Sequence, residues 1–268
     1  MRDRLKVLFL AADPFRSGAR LELGEEMRAI DEAIQRGSAR GSVELVSHFA
    51  TRTRDLQYAL LRHEPHVVHF AGHGAEQGAI YLGDENGQPR AVGKEALGRL
   101  FCILDGEVRA VVLNGCHTLA VAEEVSQAVD FAVGTRRRIS DGAAIGFAAA
   151  FYTALAFGRG VRQAFDLAVN QLQVDGSADA DVPVLRVRDG VEDRPVLAVP
   201  GDREEEGTDA LGVHQTVRAK EIGGEGVSII ADDLEGPGVS GDAVRQVVDA
   251  EIISGTNVSI TGRKIRRG

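Results

Sequence analysis

The chain has 268 residues, enough for one large α/β domain plus an appendage. Hydrophobic residues make up 44% and charged residues 26%, which places it among globular proteins and excludes a disordered or fibrous one. The formal charge of −9 argues against general binding to nucleic acid or an anionic membrane, and two cysteines, Cys102 and Cys116, exclude a disulfide framework and suit a reducing cytoplasm.

In chain order, Arg2, Arg4 and Lys6 precede an apolar run at 7–12, a superficial likeness to a signal peptide. The run is too short for that and meets Asp13-Pro14 at once, so residues 5–11 read as a first buried strand. Apolar residues at Leu21, Leu23, Met27, Ile30 and Ile34 predict a helix over 21–35. A strand at 42–49, a helix at 53–63 and a strand at 66–71 follow, then a short hairpin around 79–87. The rest of the first 172 residues reads as a helix at 94–101, a strand at 108–113, a helix at 118–128, a strand at 131–134, a long helix to 157 opened by Ser140-Asp141, and a helix at 161–172. This alternation predicts an α/β fold: a mostly parallel sheet with helices on both faces, whose strand carboxyl ends face the ligand crevice. Residues 181–200 hold one or two edge strands.

Two of those strand ends are unusual. "HVVHFAGHG" closes on Gly72-His73-Gly74, and "AVVLNGCHT" closes on Gly115-Cys116-His117. A thiol is a weak nucleophile until deprotonated, and an imidazole nearby can take its proton and later protonate the leaving group. Flanking glycines allow close approach to the backbone, whose amides can hold an oxyanion. Taken singly, Cys116 is an ordinary small buried residue and His73 a turn residue; the matched placement favours chemistry. Zinc is disfavoured, because His66 and His69 are an odd step apart and so face opposite sides of a strand; His69 reads as a buried, hydrogen-bonded core residue. "GHGAEQG" lacks the dinucleotide spacing and precedes a strand rather than a helix, which weakens a nucleotide-binding regulator. In "GTRRRISD", Arg136 and Arg137 are candidates to hold an acidic substrate side chain and Asp141 a basic one, against the plainer readings of solvated arginines and a helix cap.

These motifs, together with "KVLFLAADP", "LELGEEMRAIDEAI", "GAIYL" and "DGAAIGFAAAFYTALAFGRGVRQAFDLA" in that order, resemble the CHAT family of caspase-like cysteine peptidases over roughly residues 5–190. The resemblance implies a caspase-like fold and hydrolysis of a peptide bond. It implies a catalytic pair of His73 and Cys116, with the amides of Gly74 and Cys116 as oxyanion hole and no metal or organic cofactor. It also implies a bacterial defence or signalling setting, with antiviral defence the expected one. Departures are His117, where relatives have a small or serine residue, and the basic "TRRR". The alternative is a catalytically silent adaptor that assembles through its tail.

The expected organisation is a peptidase domain at 1–200, an acidic linker at 201–212 and a β-rich two-repeat tail at 213–268. In the tail, "AKEIGGEGVSI" aligns without gaps on "AEIISGTNVSI", which would stack Val227 on Val258 and Ile229 on Ile260. The expected partners are a protein substrate and either a regulatory protein or another copy met through the repeats, with no nucleic acid or membrane.

Overall fold

The computed structural model describes residues 4–15, 20–38, 40–104 and 108–193, together with strands that lie between 213 and 266. The chain divides into two compact units, Met1–Arg203 and Glu204–Gly268.

The first unit is built on a six-stranded sheet. Its strands are β1 (Leu5–Ala12), β2 (Val43–His48), β3 (Val67–Gly72), β7 (Ala110–Asn114), β8 (Phe131–Thr135) and β9 (Pro183–Val187). They lie in the order β2-β1-β3-β7-β8-β9, all parallel except β9, which runs antiparallel along β8 at the edge. The parallel sheet expected from the alternating pattern is therefore observed.

Strand alternation divides the core. Leu5, Val7, Phe9 and Ala11 of β1 join a cluster that includes Ile30, Phe147, Phe151 and Leu172. These come from α1 (Leu23–Arg36), α5 (Asp141–Ala156) and α6 (Val161–Val174). Leu8, Leu10 and Ala12 join the opposite cluster, with Leu56, Leu60, Leu97 and Val121. Those come from α2 (Thr53–His63), α3 (Lys94–Ile103) and α4 (Leu119–Val125). Helix α5 is apolar on nearly every side because it is a buried helix, packed against α1 and α6.

Several boundaries differ from the sequence reading. Helix α1 starts at Leu23, and α4 stops at Val125, where Ser126 Oγ donates back to the Glu123 carbonyl at 2.8 Å and the chain passes into turns. His66 lies just outside β3, with its Nδ1 accepting the Lys6 amide. The expected hairpin is a three-stranded antiparallel sheet of β4 (Gly74–Ala75), β5 (Ala79–Gly83) and β6 (Pro89–Gly93). Its turn is closed by Asp84, whose Oδ1 accepts the amides of Asn86 and Gln88. Two residues could not announce a strand by periodicity, so β4 was invisible in the sequence.

In the second unit the described strands are β10 (Val213–Ala219), β11 (Ile222–Gly223), β12 (Ser228–Ala231), β13 (Leu234–Glu235), β14 (Val244–Ala250), β15 (Ile253–Ser254), β16 (Ser259–Gly262) and β17 (Ile265–Arg266). They pair in parallel as β10-β14, β11-β15, β12-β16 and β13-β17. Ile229 shares a register with Ile260. The expected acidic linker and the Val227–Val258 pair lie outside the described residues.

Phe147 is 1% exposed and packs against the rings of Phe151 and Phe165. Replacing Phe147 by Ala should cost about 3–5 kcal/mol, read as a lower denaturation midpoint with unchanged slope.

Candidate active site

The winding of the sheet reverses between β1 and β3, since β2 lies on one side of β1 and all later strands on the other. At such a reversal the loops after neighbouring strands part and leave a crevice. Asp13 follows β1, His73 follows β3, and Cys116 comes two residues after β7, so all three lie at the same end of the sheet.

His73 and Cys116 line one cleft, together with Leu21, Glu26, Asn114, Ile139 and Asp141. The His73 Nε2 lies 3.0 Å from Asp13 Oδ1. A carboxylate can only accept there, so Nε2 carries a proton, which in the neutral imidazole leaves the lone pair on Nδ1. The Phe15 ring meets the imidazole edge-on at 4.9 Å, and Phe15 in turn meets Tyr81 at 5.0 Å. Cys116 is half-buried, and its Sγ lies 3.9 Å from the Ile139 carbonyl, the direction of a weak S–H donor. No hydrogen bond joins the thiol to the imidazole among the described residues, and Cys102 is exposed on α3, away from the cleft.

The loops are held by their own backbone requirements. A Cβ at Gly74 would strike the Cys116 carbonyl, and one at Gly115 would strike the Gly72 carbonyl. Glycine therefore lets the two strand ends touch. Buried hydroxyls fix the loop between Gly115 and Thr118: Thr118 Oγ1 donates to the Leu113 carbonyl at 2.8 Å and accepts from the Thr135 amide at 3.0 Å, while Thr135 Oγ1 donates to the Gly115 carbonyl. The Cys116 amide donates to no protein acceptor among the described residues. His117 sits at φ 56°, a left-handed conformation sparsely used by residues with a side chain, and its Nε2 lies 3.7 Å from Glu76 Oε1.

Beneath the cleft is a buried polar node. Glu26 Oε1 lies 2.8 Å from His69 Nε2 and accepts from Asn114 Nδ2 at 2.5 Å. His69 Nδ1 lies 3.2 Å from the Tyr152 hydroxyl, and Asn114 Nδ2 also donates to the Ala144 carbonyl at 3.0 Å. Burial, reinforced by the Glu26 charge, pushes the Tyr152 hydroxyl well above its ordinary pKa, so it keeps its proton. His69 is thus a hydrogen-bonded core histidine, as its position in the strand suggested.

The "TRRRISD" residues part company. The Arg137 guanidinium donates to Asp181 Oδ1 at 2.6 Å, Asp179 Oδ1 at 3.0 Å and the Ala178 carbonyl at 3.1 Å. It is engaged by its own chain, and its hydrogen bonds to Asp181 and Asp179 hold its pKa above the usual arginine value. Arg136 does not line the cleft, whereas Asp141 does. The cap of α5 is Ser140, whose hydroxyl accepts the Ala143 amide at 3.4 Å, leaving the Asp141 side chain for the cleft.

Asp13 and Glu26 were not recognised in the sequence. Asp13 did carry a signal, a carboxylate directly after an apolar strand; Glu26 had none that separates it from the other acids of its helix. Among the described residues no group of His, Cys, Asp and Glu is arranged to hold a metal ion.

A family model described as "CHAT domain" matches residues 10–195. A curated relative, "Roc-COR-CHAT protease" from an unknown prokaryotic organism, is 24% identical over 158 residues, which is 56% of this chain and 15% of the relative; the chain thus spans a small part of that protein's length. Among solved structures, a crystal structure of Caspase-1 from Spodoptera frugiperda is similar with a TM-score of 0.45 and 9% identity, covering 69% of this chain and 87% of that one.

Asp179 joins this loop to the segment before β9. Two hydrogen bonds from Ser140, then Arg137, hold its carboxyl below the usual range. A carboxylate with a lowered pKa stabilises the fold above the unfolded value of about 4 and loses that contribution as pH falls through the folded value. Asp179→Asn should therefore be about 1–3 kcal/mol less stable than the wild type at neutral pH, with the gap closing in acid, as urea titrations across pH would measure.

Proposed function

The chain belongs to the CHAT domain family, and from that premise we propose that it is a cysteine endopeptidase using Cys116 and His73. The observation that supports this reading is the convergence of a thiol and a carboxylate-oriented imidazole, from two different strands, on one cleft. The curated relative bears the name of a protease.

In the proposed mechanism the Cys116 side chain turns from the Ile139 carbonyl toward substrate, and His73 Nδ1 takes the thiol proton. The thiolate attacks the scissile carbonyl, and the amides of Gly74 and Cys116 hold the tetrahedral oxyanion. The intermediate collapses as the imidazolium protonates the leaving amine, giving a thioester on Cys116. His73 then takes a proton from water, which attacks the thioester, and the acid product leaves with the thiol restored. Throughout, Asp13 keeps the His73 Nε2 proton in place, so the reacting nitrogen is always Nδ1.

The acids of the cleft set the substrate class. Glu26 and Asp141 line it together with the pair, while Arg137 is bound elsewhere. We assign Asp141 the contact to a basic side chain immediately before the cleaved bond. We further place the protein as a cytoplasmic effector of a bacterial defence or signalling system; no helix among the described residues is long and apolar enough to cross a membrane.

Cys116→Ala and His73→Ala should each abolish cleavage of peptide libraries, with the double variant no worse than either alone, because the two residues act as a unit. Cys102→Ala should be fully active. Asp13→Asn should leave the fold intact and lower kcat far more than it raises KM. A Cys116→Ala protein that still cleaves, or a wild type that neither cleaves nor reacts with a thiol-directed peptide probe, refutes the peptidase reading; the second outcome favours the silent adaptor.

Asp141→Asn should lower kcat/KM on Arg and Lys peptides by about 10- to 100-fold, the loss of one charge-assisted hydrogen bond, while leaving apolar peptides and thermal stability nearly unchanged. Equal losses on all peptides would remove Asp141 from substrate selection.

A further inference from the structure

The second unit has an order that the catalytic reading does not use. Its four strand pairings share one offset: Val213 pairs Val244, Ile222 pairs Ile253, Ser228 pairs Ser259 and Leu234 pairs Ile265, each 31 residues apart. The chain thus makes one winding of four short strands and lays a second, equivalent winding on it in parallel register. Many uncharged positions repeat in kind, such as Gln215 with Gln246 and Ile229 with Ile260.

Five pairs of charged positions are instead opposite in sign. Arg218 shares a register with Asp249, and Glu235 with Arg266. The same 31-residue spacing in the sequence sets Lys220 against Glu251, Asp232 against Arg263 and Asp233 against Lys264. The first winding therefore reads plus, plus, minus, minus, minus at these positions, and the second reads the inverse.

Each strand has one partner among the described residues, so each sheet is two-stranded, with two open edges. In a parallel sheet successive residues direct their N–H and C=O alternately to the two neighbours, so half of these groups face an open edge. A two-stranded sheet is marginal in water. A third winding on the second would pair the open edge, and it would need the charge pattern of the first winding. That pattern is present in another copy of this chain. Asp249 of one copy would then meet Arg218 of the next, and Arg266 would meet Glu235, repeating the intramolecular register. First winding on first, or second on second, would instead oppose like charges at about 4.8 Å.

We infer that the 213–266 segment is a self-stacking surface whose partner is a second copy of this chain, added head to tail, first winding upon second, so that charge alternates along the stack and sets its direction. This does not depend on the catalytic assignment.

The test uses the full chain and a charge-inverted full chain. The inverted chain carries Arg218→Asp, Lys220→Glu, Asp232→Arg, Asp233→Lys and Glu235→Arg together with Asp249→Arg, Glu251→Lys, Arg263→Asp, Lys264→Asp and Arg266→Glu. Each chain keeps complementary windings within itself, so each should assemble with concentration, sediment, and give a diffraction repeat of about 4.8 Å along the stack. Labelled and mixed, the two should form separate assemblies, and seeds of one should fail to extend the other. A wild-type chain that stays monomeric as concentration rises overturns the inference. So does free co-assembly of the two chains, which would place the contact outside the charged register. If the inverted chain alone fails to assemble, a chain inverted only in the first winding mixed with one inverted only in the second decides. The first carries the minus-minus-plus-plus-plus pattern in both windings, the second its inverse, so co-sedimentation of the mixture alone supports the inference and its absence overturns it.

Discussion

The first unit depends on five parallel strands delivering their carboxyl ends to one edge. A parallel sheet has to be covered on both faces, and the strands here accordingly carry apolar residues on both sides. With both faces occupied by helices, polar side chains can meet a substrate only where strands end. The reversal of winding between β1 and β3 opens that edge. Asp13, His73 and Cys116 therefore lie at the same end of the sheet although 103 residues separate the first from the last in the chain.

The same strands hold a second, hidden set of polar groups. Strand β3 buries His69 and ends just before His73; strand β7 buries Asn114 and ends near Cys116. His69 and Asn114 both bind Glu26 of α1, and Tyr152 of α5 closes the node through His69. Buried polar groups are expensive unless paired, so this node locks α1 and α5 to the strands that carry the reactive pair. Asp13 and His73 form the corresponding contact at the rim, with 15% and 28% of their side chains exposed. One pair anchors the helices; the other remains reachable from solvent.

The loop after β8 shows how charge is allotted. Its arginine at 137 is drawn to Asp179 and Asp181 near the edge strand, and Ser140 spends its hydroxyl on capping α5 and bonding Asp179. Of this stretch, Ile139 and Asp141 line the cleft. Of the basic run in the sequence, Arg137 finds its partners within the chain.

Much of the first unit was legible from sequence alone. Apolar alternation located the sheet and its helices, because periodicity follows directly from which face of an element is buried. His73 and Cys116 were legible because glycines flank them at strand ends, and backbone permissiveness is written in the residue type. The 31-residue repeat was equally plain, since register repeats leave a trace in spacing. Asp13 as the partner of His73, Glu26 beneath the cleft and the capture of Arg137 by acids more than 40 residues later became visible only in the folded chain. Such pairings depend on which strand ends become neighbours, and that is set by the order in which strands pack rather than by any local pattern.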